Sequence, residues 1–302
     1  MTKPILLITG ATGHQGGATI DELLCRGGHW HLRALVRTPE APKASALAAH
    51  GVELVRGDLN DAGSLRAALA DVHGVLSVQT PMGQGPEGEE RQGKLLATLA
   101  AEAGVQHFVY CSAGGVDRHS GVPHFESKRA IEEHIHALGL PATILRPAAF
   151  MEMFDRFAFR TTMLSMMETY LAPGQAMQMV SARDIGWFAA EAFDHPAEHV
   201  GRAIEIAGDS ITREQAVAAL RRSGRTPVIS FTIPPFLRAK LPKDFRLMFE
   251  WIAREGFRGD LPALRRAHPN LLTLQSWTAM PVRRGEGCVA DPAGYPASRA
   301  SA

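Results

Sequence analysis

The chain has 302 residues, 45% hydrophobic and 21% charged, which suits a globular protein with one large α/β domain and a smaller appendage. Its formal net charge of +1 gives no reason to expect binding to nucleic acid or to an anionic membrane. The three cysteines are widely spaced, form no metal-ligand pattern and indicate a reducing compartment. Two of them, Cys25 and Cys111, lie in apolar-patterned elements and are predicted to be inert core thiols.

The N-terminus runs directly into an apolar strand, without a charged leader followed by a long apolar stretch. No segment approaches the length of a membrane span. We therefore expect a cytoplasmic protein that does not enter the membrane.

Short apolar strands alternate with helical patterns through the first half of the chain. "ILLITG" is predicted to be a strand, and a glycine-rich turn leads from it into the helix "ATIDELLCRGG". The strands "HLRALVR", "VELVRGD", "GVLSVQT", "VQHFVYCS" and "PATILRP" follow, each separated from the next by a helix; Asp61 is predicted to cap the third helix. Continuous apolar strands joined by helices predict a doubly wound parallel sheet of the Rossmann type, covered on both faces.

Beyond the sixth strand the pattern becomes mixed. Met- and Phe-rich helices come first, then the strand "MQMV", a helix predicted to be capped by Asp184, and the strand "RAIEIAG". "TPVISFTIP" is predicted to be a further strand, with helical pieces after it. The sequence thus predicts a nucleotide-binding domain over 1–150 and a smaller, mostly helical α+β part over 151–280, with interleaved sheet contributions. Residues 281–302 are predicted to be a disordered tail.

The strongest motif is "TGATGHQGG", in which Gly10, Gly13 and Gly16 stand between the first strand and the first helix. Gly10 permits a tight turn, Gly13 lets the backbone approach a diphosphate, and Gly16 lets helix and strand pack closely. Free backbone N–H groups and the positive end of the helix dipole then bind the anion. The motif predicts a dinucleotide site, which also includes the residues between the glycines, Thr12, His14 and Gln15.

The residue that follows the second strand indicates whether NAD or NADP is the preferred cofactor. An acidic residue there would bind the ribose 2′-OH of NAD, whereas this chain has Arg37, with Lys43 nearby. A guanidinium can pair with a 2′-phosphate, so the sequence predicts a preference for NADP(H), with NAD(H) possible. Asp58 and Leu59, after the third strand, are placed to touch the adenine; Asp58 is equally consistent with a simple turn residue.

Several stretches together resemble the NmrA-like group of atypical short-chain dehydrogenase/reductases. They are "LLITGATGHQGG", "VRTP", "GDLND", "VQHFVYCSAGG", "HFESKRAIEEHI", "ATILRPAAFME" and "SARDIG", and the segment "GFRGDLPALRRAHPNLLTLQSW" is similar to the end of that family's NADP-sensor branch. The resemblance implies a nucleotide domain with a C-terminal part that closes a cleft over the nicotinamide. It also implies that the cofactor runs along Gln79, Thr80, Lys128, Pro147 and Ala148.

Residues that could move a proton lie in "HFESK". Reduction of a carbonyl needs a proton donor, which in related reductases is a Tyr four residues before the Lys; here that position holds His124. His124 is a candidate donor, or a histidine near the helix start that merely lines a polar pocket. Lys128 is the candidate ribose ligand. Ser112 is a further candidate catalytic residue or a turn hydroxyl.

Two functions remain open from the sequence. One is a reductase that passes hydride from NADPH to a small apolar acceptor such as a quinone, enone or carbonyl; a quinone can take its proton from water, which would make His124 dispensable. The other is a binding module that senses the NADPH/NADP⁺ ratio through a regulatory protein partner. The Met-rich segment could form a substrate pocket in the first case or a partner surface in the second. Ordinary hydrophobic core is the preferred interpretation of its side chains. No metal site is predicted, and the oligomeric state is open.

Overall fold

The structure, a computed structural model, describes residues 3–280. The predicted tail, including Cys288, lies outside the described residues. The strands are β1 (Ile5–Ile8), β2 (His31–Val36), β3 (Glu53–Arg56), β4 (Val72–Ser77), β5 (His107–Cys111), β6 (Ala142–Pro147), β7 (Ala149–Phe150), β8 (Met177–Val180), β9 (Ala203–Ile206) and β10 (Asp209–Ile211).

The helices of the first half are α1 (His14–Cys25), α2 (Pro42–Ala49), α3 (Ala62–Ala68), α4 (Gly85–Glu102) and α5 (Pro123–Ala137). Those of the second half are α6 (Phe157–Tyr170), α7 (Ala182–Asp194), α8 (Pro196–His199), α9 (Arg213–Arg222), α10 (Pro235–Arg238), α11 (Lys243–Arg254), α12 (Leu261–Ala267) and α13 (Leu274–Ala279). Short 3₁₀ turns occupy Val116–Arg118 and Met151–Phe154.

Seven strands form one parallel sheet in the order β3-β2-β1-β4-β5-β6-β9. The chain begins in the middle, extends through β2 and β3 to one edge, then returns to β4 and proceeds toward the other edge. The strand order therefore reverses between β1 and β4, and ligands of such sheets bind beyond the carboxyl ends of the strands at this reversal. The predicted doubly wound sheet is confirmed.

Both faces of the sheet are buried, as the continuous apolar strands predicted. Helix α1 packs against α7 on one face, and α4 packs against α5 on the other. Alternate residues of β1 serve the two layers: Leu6 and Ile8 join the core under α1 and α7, whereas Leu7 joins the core under α4 and α5. All three side chains are fully buried.

The second half builds a smaller layer beyond the carboxyl edge of the sheet. A three-stranded sheet in the order β10-β8-β7 packs with α6, α9, α11 and α13 around a separate apolar core. Met163, Met166 and Met167 are buried in that core, which fits the preferred interpretation of the Met-rich segment. Between β8 and β10 the chain passes back through α7 and β9, and β9 joins the large sheet beside β6.

Helix α7 is capped by Ser181, so the prediction that Asp184 caps it is wrong. The Ser181 hydroxyl accepts a hydrogen bond from the Arg183 backbone N–H at 3.2 Å. Asp184 lies inside the first turn, is 1% exposed, and faces His268 at 3.3 Å. Burial raises the pKa of Asp184, and the hydrogen bonds from His268 and the Leu272 N–H oppose that effect. The residue therefore ties the segment before α13 to α7.

The strand predicted for "TPVISFTIP" does not form. The segment has no regular secondary structure and pairs with no strand among the described residues. It runs beside α6, where the N–H groups of Phe231 and Ile233 donate to the hydroxyls of Ser165 and Thr169 at 3.2 and 2.9 Å. Side-chain hydroxyls on a helix thus satisfy donors that an alternating apolar pattern assigned to a sheet.

The two cysteines within the described range differ. Cys111 is fully buried, and burial raises the pKa of its thiol to about 12, so the predicted inert core thiol is confirmed there. Cys25, by contrast, is exposed at the end of α1, and the prediction for it is wrong. Across residues 3–280, every helix is too short or too polar to cross a bilayer.

Candidate cofactor and active site

A glycine turn carries the chain from β1 into α1. Gly10 has a φ of +61°, in the left-handed region that favours glycine, and its carbonyl accepts a hydrogen bond from the Gly13 N–H at 2.9 Å. A Cβ at Gly16 would lie 2.5 Å from the Gly10 carbonyl oxygen, a contact that the backbone cannot relieve. The turn therefore fixes the start of α1 at the carboxyl end of β1.

The start of α1 suits an anion. Gly13 is the N-cap residue, so no capping side chain occupies the N–H groups of the first turn, and that turn holds no acidic residue. Gln15, also in this turn, has a buried side-chain carbonyl oxygen without a hydrogen-bond partner within the described residues. A diphosphate at this end would therefore meet the uncapped backbone N–H groups of the first turn.

A cavity of about 670 Å³ opens beside this turn, along the carboxyl ends of β1 to β4. Its lining brings together residues from four separate loops, and seven of them are residues that the sequence assigned to the cofactor: Gly10, Thr12, Arg37, Asp58, Leu59, Gln79 and Thr80. Such a volume is within the range of ligand pockets.

Two cations line the cavity where β2 ends. Arg37 and Lys43 are both exposed, and within residues 3–280 neither forms an ion pair or a hydrogen bond. The arginines within β2 and β3, by contrast, form ion pairs: Arg33 with Glu53 at 2.9 Å and Arg56 with Glu40 at 2.6 Å. Arg37 and Lys43 thus remain available to an anionic ligand.

Asp58 takes part in a turn and also lines the cavity, so both interpretations of it have support. Its carboxylate accepts hydrogen bonds from the backbone and side-chain N–H groups of Asn60, each at 2.8 Å. Gln79 is 4% exposed, and its amide donates to Ser77 at 3.1 Å. These bonds fix the walls of the cavity.

Other predicted cofactor residues lie outside this cavity: Gly13, His14, Gln15, Gly16, Lys128, Pro147 and Ala148. Pro147 and Ala148 are buried at the end of β6, where the Pro147 carbonyl accepts from the Gly114 N–H at 2.8 Å. The cavity therefore brings together the residues predicted for the adenosine half of a dinucleotide, and the assignment of residues to either half stays a prediction.

Lys128 lies in a buried ion pair. Its ammonium nitrogen is 3.0 Å from Glu89 of α4, and the two side chains are 9% and 0% exposed. The second carboxylate oxygen of Glu89 accepts from the Ser127 hydroxyl at 2.6 Å. Lys128 also lies 3.4 Å from the Cys111 carbonyl oxygen and 5.8 Å from the ring centroid of Tyr110. Glu89 therefore anchors Lys128 at the carboxyl end of β5.

Ser112 is buried and donates its hydroxyl hydrogen to Glu132 at 2.5 Å. Both carboxylate oxygens of Glu132 also accept from Arg146, at 3.1 and 2.6 Å. This arrangement ties the ends of β5 and β6 to α5. The Ser112 hydroxyl can still accept a hydrogen bond through its oxygen, but its proton is directed into the protein.

His124 lies in the first turn of α5, one turn before Lys128. Its Nδ1 is 2.6 Å from a carboxylate oxygen of Asp244, at the start of α11, and its backbone N–H donates to the other oxygen at 3.0 Å. Burial raises the pKa of Asp244, but the hydrogen bonds from His124 outweigh burial and the pKa is lowered. His124 is thus held by the C-terminal part.

Sequence reasoning missed Glu89, Glu132 and Asp244, the three carboxylates that hold the candidate catalytic residues. One signal was available for Glu89, since it shares a helical face with Gly93 and Leu96, and that face is buried against α5. Asp244 is 120 residues from His124, and no local pattern reports such a pair. Within the described range no cluster of three or more metal-ligating side chains occurs.

A model of the NmrA-like family matches residues 1–257. The NAD(P)H azoreductase of Xenophilus azovorans is 29% identical over 226 residues, 74% of this chain and 75% of that protein. The Citrobacter sp. triphenylmethane reductase, solved with NADP(H), superposes with a TM-score of 0.73 at 23% identity, covering 91% of this chain and 98% of that one.

NmrA, a negative transcriptional regulator solved with NADP, superposes with a TM-score of 0.72 at 20% identity, covering 93% and 96% of the two chains. Identities this low show a shared fold alone, whereas the family model spans most of the sequence. This chain belongs to the NmrA-like family of NAD(P)-binding, Rossmann-type proteins.

Proposed function

We propose that this protein is an NADPH-dependent reductase of a small apolar acceptor. The observation that carries the proposal is the cavity at the β1/β4 reversal, which opens beside the turn that leads into α1 and has two uncommitted cations on its wall. A dinucleotide needs this combination, because the diphosphate favours the helix start and a 2′-phosphate favours Arg37 and Lys43.

NADPH, when bound, supplies the hydride. The chain's own residues would hold it in three places. The first turn of α1 binds the diphosphate, Arg37 and Lys43 bind the 2′-phosphate, and Lys128 reaches the nicotinamide ribose from its anchor on Glu89. Asp58 and Leu59 border the adenine.

The acceptor class follows from chemistry and from the relatives. An azoreductase and a triphenylmethane reductase both carry reductase in their names; the first name denotes an azo group and the second an aromatic compound. We therefore take a quinone, enone, carbonyl or aromatic dye as the acceptor class, by similarity to these reductases.

A redox sensor is the second candidate, favoured by the buried Lys128–Glu89 pair and by the similarity of fold to the regulator NmrA. The two functions are separated by following NADPH oxidation with a panel of quinones, carbonyls, azo compounds and triphenylmethane dyes. A reductase should oxidise NADPH faster than buffer with at least one acceptor class. Tight NADPH binding without oxidation across the panel would favour the sensor, which must then bind NADPH and NADP⁺ with different affinities.

A further inference from the structure

We propose that Asp244 and His124 act as a pair that protonates the acceptor, with the His124 Nε2–H as the donor and Asp244 as the positioning residue. The inference rests on the proposed reductase function and deepens it. It assigns the site to acceptors that must be protonated as they are reduced.

One carboxylate oxygen of Asp244 lies 2.6 Å from His124 Nδ1 in an ion-pair contact that is not aligned as a hydrogen bond, and the other oxygen accepts from the His124 backbone N–H at 3.0 Å. The ring packs edge to face on Phe125, with 4.6 Å between centroids, and Phe125 packs in turn on Trp251 at 5.3 Å. A carboxylate this close to Nδ1 favours the tautomer with its proton on Nδ1, which leaves Nε2 as the nitrogen that faces an acceptor.

His124 is placed where the reaction would occur. Helix α5 starts beyond the carboxyl edge of β5, and residues four apart share a helix face, so His124 and Lys128 face the same side. Lys128 contacts the end of β5 at the Cys111 carbonyl. The His124 side chain is 16% exposed, and its Nε2 makes no hydrogen bond within residues 3–280. The ring therefore retains a nitrogen without a hydrogen-bond partner among the described residues, on the side of the sheet where the carboxyl end of β5 lies.

The step balances with NADPH as the reductant. A carbonyl acceptor receives hydride on carbon, and its oxygen receives the proton that leaves His124 Nε2, giving an alcohol and NADP⁺. Neutral His124 regains a proton from water before the next turnover. During the step Asp244 stays ionised, keeps Nδ1 protonated and stabilises the imidazolium that is present beforehand.

The structural alternative is that Asp244 only docks α11 onto α5. Asp209 provides a matched control for docking, because its carboxylate accepts from the Leu274 N–H at 2.8 Å and joins β10 to α13. Asp244→Asn keeps an acceptor for the His124 backbone N–H while it removes the charge. If Asp244 only docks α11 onto α5, Asp244→Asn and Asp209→Asn should have the same effect on reduction of a carbonyl acceptor.

The test compares a carbonyl or enone acceptor with a cationic triphenylmethane dye, which takes hydride at its central carbon and needs no proton. With the carbonyl, His124→Gln should lower kcat by on the order of 10²–10⁴ and Asp244→Asn by at least about tenfold, with NADPH affinity unchanged. With the dye both losses should be much smaller. Asp244→Glu should recover part of the carbonyl activity, and Asp209→Asn should retain it.

A second readout needs no cofactor. Nitrogen NMR of the imidazole in the free protein should show the neutral ring of wild type with its proton on Nδ1, and a mixture of tautomers in Asp244→Asn. Equal losses with both acceptors, or a wild-type ring protonated on Nε2 alone when neutral, would overturn the pairing. If wild type reduces no acceptor, the proposed reductase function itself fails. If wild type is active and the His124 and Asp244 variants are equally active, only the pairing fails.

Discussion

At the residue scale, Arg37 is the side chain expected to choose between the two nicotinamide cofactors. It lines the cavity where β2 ends and has no ion-pair partner within residues 3–280. Arg37→Glu should weaken NADPH by roughly ten- to a hundredfold, the equivalent of about 1.5–3 kcal/mol, because a charge-assisted pair is lost. NADH should weaken less, since a carboxylate can accept from the 2′-OH.

Calorimetric titration of both cofactors measures this effect. Arg56→Glu is the matched control, because Arg56 is a β3 arginine that pairs with Glu40 and does not line the cavity. An equal loss of NADPH and NADH affinity in Arg37→Glu would show that Arg37 does not read the phosphate.

A second prediction concerns substitution of the two residues in the buried Lys128–Glu89 pair. Lys128→Met should weaken NADPH, and it should also lower the free energy of unfolding by about 3–5 kcal/mol because Glu89 is left buried without its partner. Adding Glu89→Gln should restore much of the stability but not the affinity. Urea unfolding and NADPH titration of the single and double variants measure the two quantities. Affinity that recovered with stability would mean that Lys128 acts only through the fold.

At the scale of elements, the glycine turn separates a binding role from a folding role. A Cβ on Gly13 would meet only the Gly10 carbonyl oxygen, at 3.2 Å, and a Cβ on Gly17 would meet the Ala11 oxygen at an ordinary 3.4 Å. Gly13→Ala should therefore fold yet lose most NADPH affinity, because the methyl group occupies the approach to the helix start.

Gly17→Ala is the control on the same helix. It should bind NADPH normally and gain roughly 0.5–1 kcal/mol of stability, since alanine restricts the unfolded chain. Titration and thermal unfolding of the two variants test the pair. Normal binding by folded Gly13→Ala would remove the turn from the diphosphate site.

The base of the sheet carries a buried histidine that predicts acid sensitivity. Burial, with smaller effects from His199 and His73, lowers the pKa of His107 to about 4; the side chain is 2% exposed and its Nε2 lies 2.8 Å from the Thr143 hydroxyl. Below its ordinary pKa of about 6.5 the unfolded chain binds a proton that the folded chain does not. Folding stability should therefore fall as pH drops.

The loss attributable to His107 between pH 7 and pH 5 should be at most about 2 kcal/mol in the free energy of unfolding. His107→Gln, measured by urea unfolding at both pH values, should flatten that dependence. His136→Gln, at an exposed position on α5, should leave it as in wild type. An unchanged pH dependence in His107→Gln would show that the buried ring does not govern acid stability.

The sequence predicted the elements whose pattern is local and missed those fixed by distant partners. The apolar strands and the glycine turn appear where the pattern placed them, because a parallel sheet buried on both faces demands such runs. The segment "TPVISFTIP" before α10 does not form the predicted strand, because its N–H groups at Phe231 and Ile233 donate to side-chain hydroxyls of α6. The ion pairs at Lys128 and His124 join separate elements, so no window of sequence could reveal them.

At the scale of the whole molecule, the two halves meet over the carboxyl edge of the large sheet. The first half supplies the cavity and Lys128, and the second half supplies Asp244, which holds His124 from α11. Asp184 and His268 join α7 to the segment before α13 in the same region. The candidate chemistry therefore depends on both halves, although the glycine motif belongs to the first alone.

Hydride should pass from NADPH to an acceptor on this protein. The most direct measurement incubates wild type with NADPH that carries deuterium at the transferable C4 position and an acceptor that keeps the transferred atom on carbon, such as an enone or a triphenylmethane dye. Mass spectrometry of the product should show one deuterium gained, at a rate well above that in buffer. Tight binding of NADPH, with no deuterium in any product across the acceptor panel, would contradict the account.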